Sequence, residues 1–156
     1  MNACFVDTWG FVALANRRDA GHELAREVDE WLAAQRWVLT TSDWVLDETV
    51  TQLHALGGAP VSLRFLELID AQTAARTLQV LNVSRERFVA ALDWFRRLAP
   101  DVQRLSLTDC TSFALMEELD VRWAFTADRH FYRAGAKIGP LVTRDGDELR
   151  FRAPAP

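Results

Sequence analysis

The chain has 156 residues, of which 49% are apolar and 26% are charged. This composition is ordinary for one globular domain with a hydrophobic core, and it argues against disorder. The sequence has no apolar run approaching the roughly 20 residues of a membrane-spanning helix. It also has no basic leader before its first apolar stretch, so we expect a cytoplasmic protein. The formal net charge of −4 argues against a broadly basic nucleic-acid-binding surface.

Apolar runs between polar breaks predict four buried strands, at residues 1–6, 38–40, 77–81 and 121–126. Helical spacing of apolar residues predicts helices at 8–18, 22–34, 43–56, from Pro60 onward, between Ser84 and Pro100, and at 109–119. The pair Gly57-Gly58 is expected to end the third of these helices. Residues able to accept a hydrogen bond from the first helical turn are the expected N-caps: Thr8, Ser42 or Asp43, Ser84 and Thr108.

After the last strand, residues 138–151 predict a hairpin at an edge of the sheet, with Asp145-Gly146 as its turn. Strands that alternate with helices predict an α/β fold in three layers, with helices on both faces of a mostly parallel sheet of four to five strands. We expect a single domain over residues 1–152 and a frayed tail over 153–156.

Acidic residues lie where the predicted strands give way to helices. Asp7 and Asp128 each follow a buried strand, Asp109 opens a helix, and Glu48 lies inside the helix that follows the second strand. The carboxyl ends of parallel strands meet at one edge of a sheet, where ligands bind. Carboxylates gathered there would form a hard-oxygen site suited to Mg²⁺ or Mn²⁺, and so to chemistry on a phosphate.

Each acid also has a purely structural explanation. Asp7 and Asp109 could stabilise helix N-termini through the helix dipole, and Asp128 could simply belong to a turn. On the third helix, Asp47 and Glu48 fall on opposite margins of the apolar stripe, so periodicity does not choose between them. Together the acids are stronger evidence, because one rule predicts where all of them should meet.

At four places the sequence resembles the PIN-domain ribonucleases, and within them the VapC-type toxins of toxin–antitoxin pairs. The similar segments are Phe5–Thr8 with the helix to Leu14, Val45–Val50, Ser106–Met116 and Ala124–Phe131. The resemblance implies that four acids bind metal and are catalytic: Asp7, Glu48, Asp109 and Asp128. It also favours Glu48 over Asp47, and it implies that Thr126 forms a hydrogen bond near the site.

The same resemblance implies a Mg²⁺- or Mn²⁺-dependent endoribonuclease. The implied partners are an RNA substrate and a small antitoxin protein, and the implied assembly is a homodimer. Arginines expected near the mouth of the site are candidates for RNA binding, with solvated surface charge as the alternative: Arg17, Arg18, Arg129 and Arg133. A lone histidine beside a turn is more often structural than catalytic, so His130 is interpreted as structural.

The region from Asp43 to Arg76 carries more apolar residues than two short helices need to pack on one sheet. These residues are Val45, Leu53, Leu56, Leu63, Leu66 and Ile69. Either an interface or additional core packing would explain them.

Two other functions remain as alternatives. A metal-dependent phosphatase of the haloacid-dehalogenase type also places an Asp after its first strand, but it needs a second Asp two residues later, where this chain has Trp9. A non-catalytic module that binds RNA or protein could use the same fold, because fold does not determine function.

Overall fold

A computed structural model describes residues 2–135 and 138–154. Its central sheet has five parallel strands in the order β3-β2-β1-β4-β5. The strands are β1 (Ala3–Val6), β2 (Val38–Ser42), β3 (Leu78–Leu81), β4 (Trp123–Phe125) and β5 (Gly139–Pro140). Five helices connect and flank them: α1 (Thr8–Ala15), α2 (His22–Ala34), α3 (Asp43–Ala74), α4 (Arg85–Leu98) and α5 (Leu107–Glu118). The predicted α/β class with a parallel central sheet is confirmed.

Strand β1 lies at the centre of the sheet, and its last three residues are apolar and buried. Cys4, Phe5 and Val6 are at most 1% exposed, as expected for a parallel strand covered on both faces. β1 pairs with β2 on one side and with β4 on the other. The first three strands therefore lie side by side in chain order, and β4 and β5 then add to the opposite side of β1. The gap between the carboxyl ends of β1 and β4 is the topological switch point, where open α/β sheets bind ligands.

Helix α3 is a single element where two helices were predicted. It runs from Asp43 to Ala74 with a kink at Gly58, whose backbone is non-helical with φ 68°. Glycine adopts this left-handed conformation without a Cβ clash. Beyond the kink, Pro60 suits an early helical position because its missing N–H is not needed there. The predicted break at Gly57-Gly58 is thus present as a bend, while hydrogen bonding continues on both sides of it.

The N-cap residues of two helices lie earlier in the chain than predicted. Ser106, and not Thr108, caps α5, because the Ser106 hydroxyl accepts a hydrogen bond from the Asp109 N–H. Asp7, and not Thr8, is the N-cap residue of α1. Both threonines lie in the first turn of their helices instead. The other two caps are as predicted, with Ser42 chosen over Asp43 for α3 and Ser84 for α4.

The predicted hairpin forms, but it is separate from the central sheet. Strands β6 (Val142–Asp145) and β7 (Glu148–Phe151) pair with each other in an antiparallel, two-stranded sheet. The edge position belongs instead to the short strand β5, which pairs with β4. Proline is tolerated there, since an edge strand does not require every backbone N–H.

A single apolar core joins the sheet to its helices, with Phe5, Phe113, Phe125 and Phe131 fully buried. Within the described residues, no helix combines the length and apolar character of a membrane span. The division into one domain over 1–152 and a tail over 153–156 stays a prediction, and residues 155 and 156 lie outside the described residues.

Candidate active site

All four predicted acids line one cleft of about 630 Å³ at the carboxyl edge of the central sheet. The cleft lies at the topological switch point between β1 and β4, as the positions of Asp7 and Asp128 predicted. Further residues lining it were not predicted: Thr8, Trp9, Val12, Asp19, Gln52, Ala127, Arg144, Gly146 and Asp147. The structure therefore brings together the residues that sequence spacing could place only one at a time.

Asp7 and Asp128 are held by the same threonine. The Thr126 hydroxyl donates to Asp7 Oδ2 at 2.8 Å and accepts from the Asp128 N–H at 3.0 Å. Thr126 is fully buried, so both hydrogen bonds are shielded from bulk solvent. This arrangement fixes the Asp7 carboxylate and the backbone of Asp128 relative to each other, and it explains why a threonine is suited to the end of β4.

Glu48 faces the cleft, whereas Asp47 is exposed. The Thr8 hydroxyl donates to Glu48 Oε2 at 2.9 Å, which links α1 to α3 across the cleft. The helical pattern alone left Asp47 and Glu48 as alternatives. Their positions differ because consecutive residues on a helix point about 100° apart, and only Glu48 is turned towards Thr8.

Asp109 both caps its helix and lines the cleft. It forms a capping box in which its Oδ2 accepts from the Ser106 N–H at 2.9 Å and its own N–H donates to Ser106 Oγ at 3.0 Å. It also lines the cleft and is 8% exposed. Asp128 likewise begins the 3₁₀ helix Arg129–Tyr132, since its Oδ1 accepts from the His130 N–H at 2.8 Å. Helix capping orients these carboxylates and does not remove them from the site.

Burial and mutual repulsion raise the pKa values of three of these acids. The pKa of Asp7 is raised to about 7, mainly by burial and then by the charge of Asp109, although hydrogen bonds from Thr126 and the backbone of Thr8 oppose the shift. Burial is also the largest cause that raises the pKa values of Glu48 and Asp109. Negative charge is therefore concentrated here well beyond what the local hydrogen bonds neutralise.

A divalent cation suits this donor set. The carboxylates are hard oxygen ligands from four different elements, and a buried nitrogen, His130 Nδ1, also lacks a hydrogen-bond partner among the described residues. A ligand atom from each of Asp109, Asp128 and His130 falls within 4.8 Å of the other two. Such a cluster is stabilised by positive charge, and oxygen-rich sites of this kind favour Mg²⁺ or Mn²⁺.

The family model of the PIN domain matches residues 4–137, a range that includes all four acids. The chain belongs to the PIN-domain family. Its similarity to a curated relative extends over the same region, since it is 33% identical over 133 residues to the 23S rRNA-specific endonuclease VapC20 of Mycobacterium tuberculosis. That alignment covers 84% of this chain and 93% of the relative.

Solved structures agree with this assignment. The crystal structure of M. tuberculosis VapC20, a sarcin-ricin loop cleaving toxin, has a TM-score of 0.72 at 30% identity and covers 85% of this chain and 95% of that chain. VapBC2 from Rickettsia felis, bound to a promoter DNA fragment, has a TM-score of 0.65 at 13% identity and covers 88% and 96%. The DNA-bound VapBC of Salmonella typhimurium has a TM-score of 0.63 at 13% identity and covers 90% of this chain and 97% of that chain. The last two show the fold, and the PIN-like fold expected from the sequence is confirmed.

Two arginines line the cleft of this PIN domain within the described part of the chain. Arg129 was predicted, and Arg144 was not. Arg17 and Arg18 line a different depression beside Leu53 and Leu56, and Arg133 is exposed and is not among the residues that line the cleft. The missed residue lies on β6, one position before the Asp145-Gly146 turn. That turn could have indicated the tip of a hairpin, but not the surface over which the hairpin packs.

Proposed function

We propose that the acidic cleft of this PIN-domain endoribonuclease toxin hydrolyses RNA phosphodiester bonds with Mg²⁺ or Mn²⁺ held by Asp7, Glu48, Asp109 and Asp128. One observation carries the proposal: four carboxylates from separate elements line one cleft at the switch point of the sheet. Three of them have pKa values raised by burial and by each other. Such clustering opposes folding stability unless a cation or substrate compensates it, and functional sites are where it is usually found.

A divalent cation supplies the positive charge that lowers the pKa of an attacking water and stabilises charge on the phosphoryl oxygens. The residues of the chain supply position. Thr126 and Thr8 hold the Asp7 and Glu48 carboxylates through short hydrogen bonds, while the capping box holds Asp109. Because these contacts come from buried or half-buried groups, the carboxylates need little reorganisation when the substrate arrives.

RNA would approach through its phosphates. Arg129 and Arg144 line the cleft, and guanidinium groups bind phosphate oxygens in pairs. Arg17, Arg18 and Arg133 lie elsewhere and would contact RNA only further along the strand. By family resemblance the products carry a 3′-hydroxyl and a 5′-phosphate. Because the curated relative is named as a 23S rRNA-specific endonuclease, ribosomal RNA is the first substrate to test.

The proposed partners are a small antitoxin and a second copy of the chain. Four leucines on α3 are exposed, and we call them the exposed leucines of α3: Leu56, Leu63, Leu66 and Leu68. Large apolar side chains left exposed on a helix are candidate contacts for a protein partner. Of the six apolar residues singled out in this region, Val45, Leu53 and Ile69 are buried in the core. Core packing therefore accounts for these three residues, and an interface is proposed for the exposed Leu56, Leu63 and Leu66. We expect the protein to act in the cytoplasm, on cellular RNA.

The test is incubation of the partner-free protein with total RNA and with intact ribosomes, in Mg²⁺, in Mn²⁺ and in EDTA, beside Asp7→Asn. We expect discrete fragments that depend on metal and are absent with the variant. Asp47→Asn is the matched control, since it removes an exposed acid next to the cleft. Cleavage that persists in EDTA or in Asp7→Asn would contradict the proposal. Tight RNA binding without fragments would favour the non-catalytic module, and release of inorganic phosphate without fragments would favour the phosphatase.

A further inference from the structure

His130 Nδ1 is a buried polar atom that the acid-only description of the site leaves unexplained. The side chain lies on the 3₁₀ helix after β4 and is 16% exposed, but the Nδ1 atom itself is buried and has no hydrogen-bond partner in the described part of the chain. Buried polar atoms without partners are rare in folded proteins, and each has a specific cause.

The other ring nitrogen fixes the ring's orientation. His130 Nε2 lies 3.2 Å from the carbonyl oxygen of Gln103. A carbonyl oxygen can only accept, so Nε2 carries a proton, and in the neutral ring Nδ1 is left with a lone pair. Histidines that bind metals nearly always donate their second ring N–H to a carbonyl, a carboxylate or water. His130 therefore already has the outer contact of a metal ligand.

His130 Nδ1 lies near two of the proposed metal-binding acids. Nδ1 lies 3.4 Å from Asp109 Oδ2 and 3.4 Å from Asp128 Oδ1. Neither approach satisfies hydrogen-bond geometry, so a proton on Nδ1 would point well at neither oxygen. The spacing is close to that of neighbouring ligands on one ion, which lie about 3 Å apart when each ligand is 2.0–2.1 Å from the ion.

We propose that His130 Nδ1 is a direct cation ligand alongside Asp109 and Asp128, and that this mixed nitrogen and oxygen set binds Mn²⁺ in preference to Mg²⁺. The inference deepens the proposed function and rests on it for the presence of a divalent cation in the cleft. The chemical reason is ligand softness. Mg²⁺ selects oxygen ligands and dehydrates reluctantly. Imidazole suits first-row transition metals, and Mn²⁺ is the member of that series that also binds carboxylate oxygen well. His130 would select the metal and take no proton in the reaction.

The test uses the partner-free full chain loaded with Mn²⁺ and measured by pulsed electron paramagnetic resonance. We expect the modulation of a directly coordinated ¹⁴N, which should change to the ¹⁵N pattern when the protein is grown with ¹⁵N-histidine. The signal should vanish in His130→Gln and persist in His54→Gln. His54 is a matched control, because its Nδ1 lies 3.1 Å from Ser62 Oγ beside the kink of α3.

Affinity supplies the second measurement. Titration of free Mn²⁺ should show at least a roughly 10-fold loss of affinity in His130→Gln, while Mg²⁺ affinity, measured by competition, should change far less. Bound Mn²⁺ without nitrogen coupling in the wild-type chain would overturn the inference even if the variant fails to fold. Metal-dependent RNA cleavage would then leave the proposed function standing. No Mn²⁺ binding together with cleavage in EDTA would remove both.

Discussion

The acidic cleft and the exposed leucines of α3 depart from the usual distribution of side chains in opposite ways, because the cleft buries charged groups and α3 exposes apolar ones. In the cleft, Asp7 and Asp109 are only 5% and 8% exposed, whereas on α3 Leu56 and Leu63 are 62% and 57% exposed. Buried charge that nothing compensates lowers the stability of an isolated chain, and apolar side chains left exposed contribute none of the stability that their burial would give. The comparison suggests that each region is completed by something bound there: a cation and RNA phosphate in the cleft, and a protein surface on α3.

The largest effect that tests this comparison is the pH dependence of stability without divalent cations. The pKa of Asp7 is about 7 in the folded chain against an ordinary value of 3.8. The folded state therefore binds more protons between these values, and the free energy of unfolding falls as pH rises from about 4 to above 7. The difference corresponds to about 4 kcal/mol, with Glu48 and Asp109 shifting in the same direction.

The measurement is urea unfolding at pH 5 and pH 8 in EDTA. Most of this dependence should disappear in Asp7→Asn, and added Mg²⁺ or Mn²⁺ should restore stability at pH 8. Equal stability at both pH values in EDTA would mean that the buried acids are compensated from within the chain.

A slightly smaller effect separates the two neighbouring acids of α3. Glu48→Gln should lower kcat/KM for RNA by at least about 100-fold, or about 3 kcal/mol, since Glu48 lines the cleft and is held by Thr8. Asp47→Asn removes the same charge one residue away and should change the rate less than about 2-fold. Equal losses in the two variants would indicate a diffuse charge effect, and the specific role of Glu48 would have to be abandoned.

The sequence predicted a residue's place in the site correctly where that place depends only on the strand or helix that the residue follows or belongs to. Asp7 directly follows β1 and Asp128 lies three residues after the end of β4, so their location at the carboxyl edge required only the strand pattern. Glu48 could not be separated from Asp47 in this way, because the choice depends on contact with Thr8 of another helix. Family resemblance supplied it instead.

The remaining errors have the same origin. Ser106 and Thr108 are both residue types that cap helices well. The choice between them depends on the residue at which α5 begins, which the preceding loop determines. On α3, the apolar residues before and after Gly58 do not belong to one stripe, because the non-helical backbone at the kink resets the helical phase. Leu56 and Leu63 therefore could not be separated from Leu53 and Ile69 by spacing alone.

The exposed leucines of α3, the other region of the comparison, should control assembly and not chemistry. The double variant Leu56→Ser/Leu63→Ser should weaken self-association at least about 10-fold in Kd, or about 1.4 kcal/mol, measured by analytical ultracentrifugation. RNA cleavage per active site should be retained. Leu119→Ser is the control, since Leu119 is exposed on another element. A monomeric wild-type chain would leave the antitoxin as the proposed partner at these leucines, and unchanged binding of that antitoxin by the double variant would exclude Leu56 and Leu63 from both interfaces.

The smallest expected effect concerns the hairpin, which follows the residues 4–137 matched by the PIN-domain model. Arg144 and Arg150 lie on its two strands, but only Arg144 lines the cleft, while Arg150 is paired with Glu148 at 2.8 Å. Arg144→Gln should raise KM for RNA about 3-fold with little change in kcat, since one phosphate contact is lost. In a plot of log binding constant against log salt concentration, the slope should become shallower by about 0.7, the value for one phosphate contact of a single strand. Arg150→Gln should change neither. If the two variants behave alike, the hairpin contributes only surface charge. If they differ as expected, the acidic cleft recognises RNA partly through a segment outside the matched PIN domain, and substrate choice can vary there without altering the four acids.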